Sequence, residues 1–148
     1  MNGSAKRVAY MDQFAGDMLA RGLTINEHLR LASVSPDAIA VARSKLAEFD
    51  IGLGERLDEF VGHLSGGQRQ VVALLSTLAS GADVLCLDEF TSSMDERSSC
   101  VAGQLINGAR RTSAAAIILV SHNAPTFPVD REFVQLPPET QPQEDGQA

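Results

Sequence analysis

Apolar and polar positions follow two regimes along this chain. Up to about residue 62 the apolar residues recur at helical spacing among charged ones, and after residue 66 they gather into dense blocks. Residues 7–11, RVAYM, predict a short strand followed by a loop. In LTINEHLRLA, Thr24 and Glu27 fit a capping box: the Thr hydroxyl accepts from the amide three residues on, and the Glu reaches back. In SPDAIAVARSKLAEF, Ser35 caps a second helix and Pro36 takes its first turn, while Ile39, Ala42, Leu46 and Phe49 share one face. Gly52 and Gly54 break that pattern. Residues 66–80 predict a helix with Val71, Val72, Leu75 and Leu78 toward a core. Residues 83–87, DVLCL, predict a buried strand ending at Asp88 and Glu89. A further helix over about 96–110 is capped by Asp95, and AAAIILVSH predicts a second apolar strand ending at His122. Strand, helix, strand, with continuous apolar runs, argues for an α/β fold with parallel strands buried on both faces. Pro125, Pro128, Pro137, Pro138 and Pro142 exclude long helices beyond it. Residues 131–136, REFVQL, predict one more strand, and the polar tail 137–148 is expected to be disordered.

Composition narrows the partners. A chain of 148 residues with 44% hydrophobic content is one globular domain or a large part of one. Net charge is −7, from 12 basic and 19 acidic residues, which lacks the basic face a nucleic-acid binder needs. Cys86 and Cys100 have no metal-ligand spacing and read as reduced thiols of a cytosolic protein. No apolar run is long enough to span a bilayer and no signal peptide opens the sequence, so any membrane link is expected through a partner.

The stretch HLSGGQRQ, residues 63–70, changes the picture most. Ser65, Gly66, Gly67 and Gln68 form an S-x-x-Q capping box. Glycine costs about 1 kcal/mol against alanine inside a helix and less at an end. Two of them supply bare backbone, and with the helix dipole and the Ser65 hydroxyl they make an anion site. The alternative is a flexible helix start with no ligand. Asp88 and Glu89 close a buried strand at the edge where open α/β sheets bind ligands. A strand-end Asp can hold Mg²⁺ directly or through water, and a neighbouring Glu can poise a water for attack. The alternative is a solvated loop with two acids. His122 is either one more site residue or a polar residue closing a strand. These features come in order, each one strand–helix unit after the last.

That order carries a resemblance. LSGGQRQ resembles the signature motif of ATP-binding-cassette (ABC) ATPases, and VLCLDEFTSSMD resembles their Walker B strand, catalytic glutamate and D-loop. IILVSHN resembles their switch-histidine segment, and VAYMDQ is similar to the strand leading into the Q-loop, with Gln13 as its glutamine. GLTINEHLRLA and IGLGERLDEFVGHLSGGQ resemble the helical subdomain of transporter-type members. The likeness covers about residues 7–123, and Phe90 stands where the family usually has proline, as in a subgroup of importer-like ATPases. It implies a partial P-loop NTPase-like fold, with parallel strands, helices on both faces and a small helical subdomain. It divides the chain into strand and Q-loop (1–13), helical subdomain (14–62), signature-to-switch core (63–136) and tail (137–148).

The resemblance also implies roles. Ser65, Gly66, Gly67 and Gln68 contact the γ-phosphate of ATP, in trans, on a nucleotide held by a second ABC ATPase subunit, identical or not. Asp88 organises Mg²⁺, and Gln13 senses the ion and the attacking water while coupling to a membrane permease. Glu89 is the general base and His122 holds the γ-phosphate and water. Ser93 and Asp95 belong to the D-loop, which communicates across the dimer. The implied protein is cytoplasmic and peripheral to the membrane through its permease, with neither nucleic acid nor membrane insertion. The family's phosphate loop, GxxxxGK[ST], is not found: Lys6 follows Ala5 and Lys45 follows Ser44. The expectation is therefore the C-terminal portion of an ABC ATPase domain whose isolated chain binds and hydrolyses ATP poorly. Three readings follow: a shortened transport ATPase; a degenerate regulatory or structural subunit pairing with a full-length ATPase; or a DNA-repair or chromosome-type ATPase, which the compact helical segment and acidic charge disfavour. Transport, if so, is read as import.

Overall fold

The computed structural model describes residues 6–49, 51–112 and 115–121. Three parallel strands, β1 (Val8–Met11), β2 (Val84–Asp88) and β3 (Ala116–Val120), form a sheet in the order β1-β2-β3. Val8 pairs with Val84 and Met11 with Leu87, while Val84 pairs with Ala116 and Asp88 with Val120. All three strands therefore end at one edge. Among the described residues five α-helices accompany them: α1 (Ala15–Met18), α2 (Ile25–Ala32), α3 (Pro36–Glu48), α4 (Gly66–Ala79) and α5 (Glu96–Thr112). The predicted α/β class with parallel strands stands. The sequence expectations for residues 131–136, for the tail and for His122 lie outside the described residues.

The helices begin where local chemistry starts them. Thr24 caps α2: its Oγ1 accepts from the Glu27 amide at 3.2 Å, and the Glu27 carboxylate accepts from the Thr24 amide at 2.7 Å. Those bonds, led by the Thr24 backbone, hold the Glu27 carboxyl below its ordinary pKa. Ser35 caps α3 by accepting from the Ala38 amide at 3.2 Å, with Pro36 in the first turn. Residues 57–61 return beside residues 23–26, where Thr24 and Phe60 form an antiparallel bridge and the Val61 amide donates to the Leu23 carbonyl at 2.9 Å. One turn, α1, stands where the sequence reads as loop. Phe14 is held by the Asp12 carboxylate, which accepts its amide at 2.8 Å, and Gly16 is buried against α4.

Helix α4 is the centre of the molecule. Gln70, Val71, Val72, Leu74 and Leu75 are all buried, and α4 packs on α1, α2, α3, α5 and β1. Ile25 and Leu29 of α2, Ala42 and Leu46 of α3, Leu87 of β2, and Val101, Ala102, Leu105 and Ile106 of α5 close one apolar cluster around it. Each fully buried Leu, Ile or Val contributes about 1.5–3 kcal/mol through the water it sheds. The sheet's faces differ among the described residues. Met11 and Leu87 point into the cluster and Leu85 is buried on the same face, whereas Val8 is 64%, Tyr10 61%, and Ile118 and Val120 each 49% exposed. The described helices cover the first face, so continuous apolar runs become alternation in burial.

Because the helical segment and the sheet share one apolar cluster, they are expected to unfold together. Leu29→Ala should destabilise the chain by about 2–5 kcal/mol. Urea unfolding followed by far-ultraviolet dichroism, which reads the helices, and by Tyr10 fluorescence, which reads the sheet, should give coincident transitions.

Candidate functional site

The carboxyl edge of the sheet gathers the predicted residues of the first two strands. β1 runs out into Asp12–Gly16, and β2 into Asp88–Met94. Asp88 ends β2, and the Tyr10 hydroxyl donates to its Oδ2 at 2.9 Å. That bond, with the carboxylate charge beside it, pushes the Tyr10 phenol pKa up, so the hydroxyl stays a donor. Glu89 follows with φ of +46°, in the left-handed region that a side chain with a Cβ enters at a cost of about 1–2 kcal/mol. Hydrogen bonds hold it there on both sides: its amide donates to the Val120 carbonyl and its carbonyl accepts from the Ser92 amide, each at 2.9 Å.

Gln13 lies against the same turn. Its Oε1 accepts from the Ser92 hydroxyl at 3.2 Å, and its carbonyl accepts from the Ser93 hydroxyl at 3.2 Å. The predicted Q-loop residue and the predicted D-loop residue Ser93 are thus bonded within one chain. Asp95 begins α5, where its Oδ1 accepts from the Ser98 amide at 2.8 Å, as the sequence predicts for a cap.

The start of α4 forms the expected capping box. Ser65 Oγ accepts from the Gln68 amide at 3.2 Å, and Gln68 Oε1 accepts from the Ser65 amide at 3.0 Å. Accepting leaves the Ser65 hydroxyl proton available to donate outward, and the first-turn amides have no partner within the helix. Gln68 Nε2 donates to the Ile51 carbonyl at 2.9 Å, which fixes the side chain. The two glycines answer to different constraints. A Cβ on Gly67 would lie 2.6 Å from Ser98 Oγ and 3.2 Å from Asp95 Oδ2, so this glycine lets α4 and α5 approach. A Cβ on Gly66 would meet nothing within 4 Å, and Gly66 is exposed. Packing in this chain explains Gly67 and does not require a glycine at position 66.

Sequence reading misses Gln70. It is 2% exposed, and its amide bonds to three backbone groups. Oε1 accepts from the Gly16 amide at 2.6 Å, while Nε2 donates to the carbonyls of Asp12 and Phe90, each at 3.0 Å. The available signal is its place on α4, a polar residue between Gly67 and Leu74 on the buried face. Next to it, Arg69 donates to Asp17 of α1 at 2.7 Å and to the Leu64 carbonyl at 2.7 Å.

The described residues offer a partial donor set for a magnesium–nucleotide. Among the described residues no group of three or more His, Cys, Asp or Glu could hold a metal. Asp88 and Gln13 offer one carboxylate and one amide oxygen at the same sheet edge. Mg²⁺ is commonly held by one or two carboxylates, phosphate oxygens and water, so such a partial set suffices beside a bound phosphate chain. No described helix is long and apolar enough to cross a membrane.

Comparison with known proteins places these features in a family. Residues 1–92 match the family model described as ABC transporter. The methionine import ATP-binding protein MetN 3 of Oceanobacillus iheyensis is 32% identical over 94 residues, which is 64% of this chain and 27% of that protein. The macrolide export ATP-binding/permease protein MacB of Marinobacter nauticus is 29% identical over 134 residues, 88% of this chain and 21% of that protein. A solved structure of the ATP binding subunit of an ABC transporter superposes with a TM-score of 0.64 at 25% identity, covering 78% of this chain and 48% of that one. The chain therefore spans about a quarter of the length of these curated relatives.

The two glycines should respond oppositely to alanine. Gly67→Ala forces α4 away from Ser98 and should destabilise by about 1–3 kcal/mol. Gly66→Ala, with open space for its methyl, should be neutral or slightly stabilising, by up to about 1 kcal/mol. Thermal unfolding of the two variants checks both signs.

Proposed function

The chain belongs to the ABC transporter family, and on that premise we propose that it supplies the signature and carboxylate elements of an ATP-hydrolysing engine that drives transport through a membrane permease. The observation that carries this reading is the pair of arrangements just described. One is an exposed helix start with an outward hydroxyl and a Gly66 that packing does not require. The other is Asp88, Glu89 and Gln13 at one sheet edge.

In this reading Ser65, Gly66, Gly67 and Gln68 meet the γ-phosphate of ATP held by a second ABC ATPase subunit. The Ser65 hydroxyl and the first-turn amides donate to phosphate oxygens, where the helix dipole favours negative charge. Mg²⁺, when bound, neutralises the charge that develops on the phosphate oxygens. Asp88 and Gln13 are the residues of this chain that would hold it. Glu89 takes the proton of the attacking water, and its backbone bonds to Val120 and Ser92 fix the carboxylate's origin at the strand end. Ser93 and Asp95 face the second subunit in this reading; within the chain Ser93 is bonded to Gln13 and Asp95 lies beside Gly67. His122 completes the site by holding the γ-phosphate and the water. The domain division also belongs to this reading, with residues 14–62 as the subdomain that faces the permease.

These residues contain no GxxxxGK[ST], so the 148-residue chain by itself is proposed to bind ATP weakly and to act on a partner's nucleotide. A regulatory subunit that only pairs with a full-length ATPase is the second reading. It is separated from the first by turnover that depends on Glu89. Import is the proposed direction, on Phe90 and on the methionine-import relatives. The proposed location is the cytoplasmic face of the membrane, bound through the permease.

Glu89→Gln removes the base and keeps the side chain's size. In a mixture with a full-length ABC ATPase subunit and Mg-ATP, it should lower turnover at sites that use Glu89 by at least about 100-fold. Unchanged turnover in that mixture would remove Glu89 from the role. Ser65→Arg fills the outward site and should abolish ATP-dependent association, read by sedimentation; normal association would contradict contact in trans.

A further inference from the structure

We propose that Gln70 is a positioning residue that ties the Q-loop and the carboxylate turn to the signature helix, and so fixes where Gln13 and Glu89 lie relative to Ser65. The inference rests on the reading of the site given above and goes beyond it, because Gln70 touches neither nucleotide nor metal in that reading. An unpaired amide this deep is costly, so its bonds are set by necessity and not by chance orientation. The three groups it meets fix which end is which: the Gly16 N–H requires an acceptor, and the Asp12 and Phe90 carbonyls require donors.

Asp12 and Gly16 flank Gln13 on both sides. Phe90 directly follows Glu89. Gln70 itself lies in α4 one turn after Gly66 and Gly67. One side chain therefore reaches the backbone around the proposed Mg²⁺ and water sensor, the backbone beside the proposed base, and the helix that carries the proposed phosphate contacts. The approach on one side is backbone-tight. A Cβ on Gly16 would lie 2.7 Å from the Gln70 backbone nitrogen and 2.8 Å from its Oε1, so only glycine admits this contact. A second clamp runs parallel to it, from Arg69 to Asp17, and keeps α1 against α4. Rigid coupling of this kind turns phosphate contact at Ser65 into a fixed placement of Glu89 and Gln13, which proximity makes worth large factors in rate.

Two near-isosteric variants separate the tie from simple stability. Gln70→Met removes every bond, and Gln70→Glu keeps an acceptor for Gly16 but loses both donors. Hydrogen exchange of the chain alone reads the tie without nucleotide. Referenced to α3, the Gly16 amide should exchange at least about tenfold faster in Gln70→Met and stay protected in Gln70→Glu. The Ser92 and Met94 amides of the carboxylate turn should exchange faster in both. Turnover with a full-length ABC ATPase subunit and Mg-ATP reads the positioning: both variants should lower kcat per folded molecule by at least about tenfold, with KM for ATP within about twofold. Unchanged exchange at Gly16, Ser92 and Met94 overturns the proposal, and so does kcat per folded molecule within about twofold of the parent, which leaves Gln70 structural only. If the parent chain itself supports no turnover, the nucleotide reading of the site fails. The locking proposal then stands or falls on the exchange at those three amides, with Gln70→Glu as the arm that survives if Gln70→Met does not fold.

Discussion

One buried amide holds the functional edge of this molecule together. Strand ends in a parallel sheet open into loops whose backbone groups have no ladder partners, and such groups need partners once buried. Here the loops after β1 and β2 find theirs in Gln70, on a helix that is itself the hub of the core. The glycine at position 16 allows the approach, and the Arg69–Asp17 pair braces it from the surface. Because α4 also begins with Ser65 and Gly66, the exposed helix start and the carboxylate edge are fixed relative to each other by packing and by these bonds together. Ser65, Gln13 and Glu89 all lie on the elements that this arrangement joins.

Around this lock the chain accepts local costs where the candidate chemistry lies. Glu89 occupies a left-handed conformation although it has a Cβ, and backbone bonds to Val120 and Ser92 hold it there. Non-glycine residues persist in such conformations only when their surroundings over-determine them. Tyr10 adds a hydroxyl bond to Asp88 on the sheet face where the described helices do not pack. The result is a strand end whose two carboxylates are both tied at the backbone or side chain and still reach solvent.

Much of this was legible in the sequence where the signal is local. The capping boxes at Thr24 and Ser65 and the caps at Ser35 and Asp95 are spelled out within four residues, and the structure forms each of them. Strand ends at Asp88 and parallel pairing followed from apolar runs separated by helices. What escaped depends on contacts between distant positions. The Gln70 bonds to Gly16, Asp12 and Phe90 span 54, 58 and 20 residues, and no periodicity encodes them. The turn α1 forms because Gly16 packs on that same residue, so it too was invisible. The different reasons for Gly66 and Gly67 appear only once α5 is seen lying against one of them. Continuous apolar strands predicted burial on both faces, but burial depends on which layers pack, and the described helices cover one face.

The central claim is that this chain contributes to a nucleotide site it shares with a partner. Equilibrium binding of Mg-ATP, measured for the chain alone and in a mixture with a full-length ABC ATPase subunit, tests it most directly. The account predicts weak binding by the chain alone and, in the mixture, association that Mg-ATP tightens by at least about tenfold. Tight binding of Mg-ATP by the isolated chain, or association indifferent to the nucleotide, would contradict it.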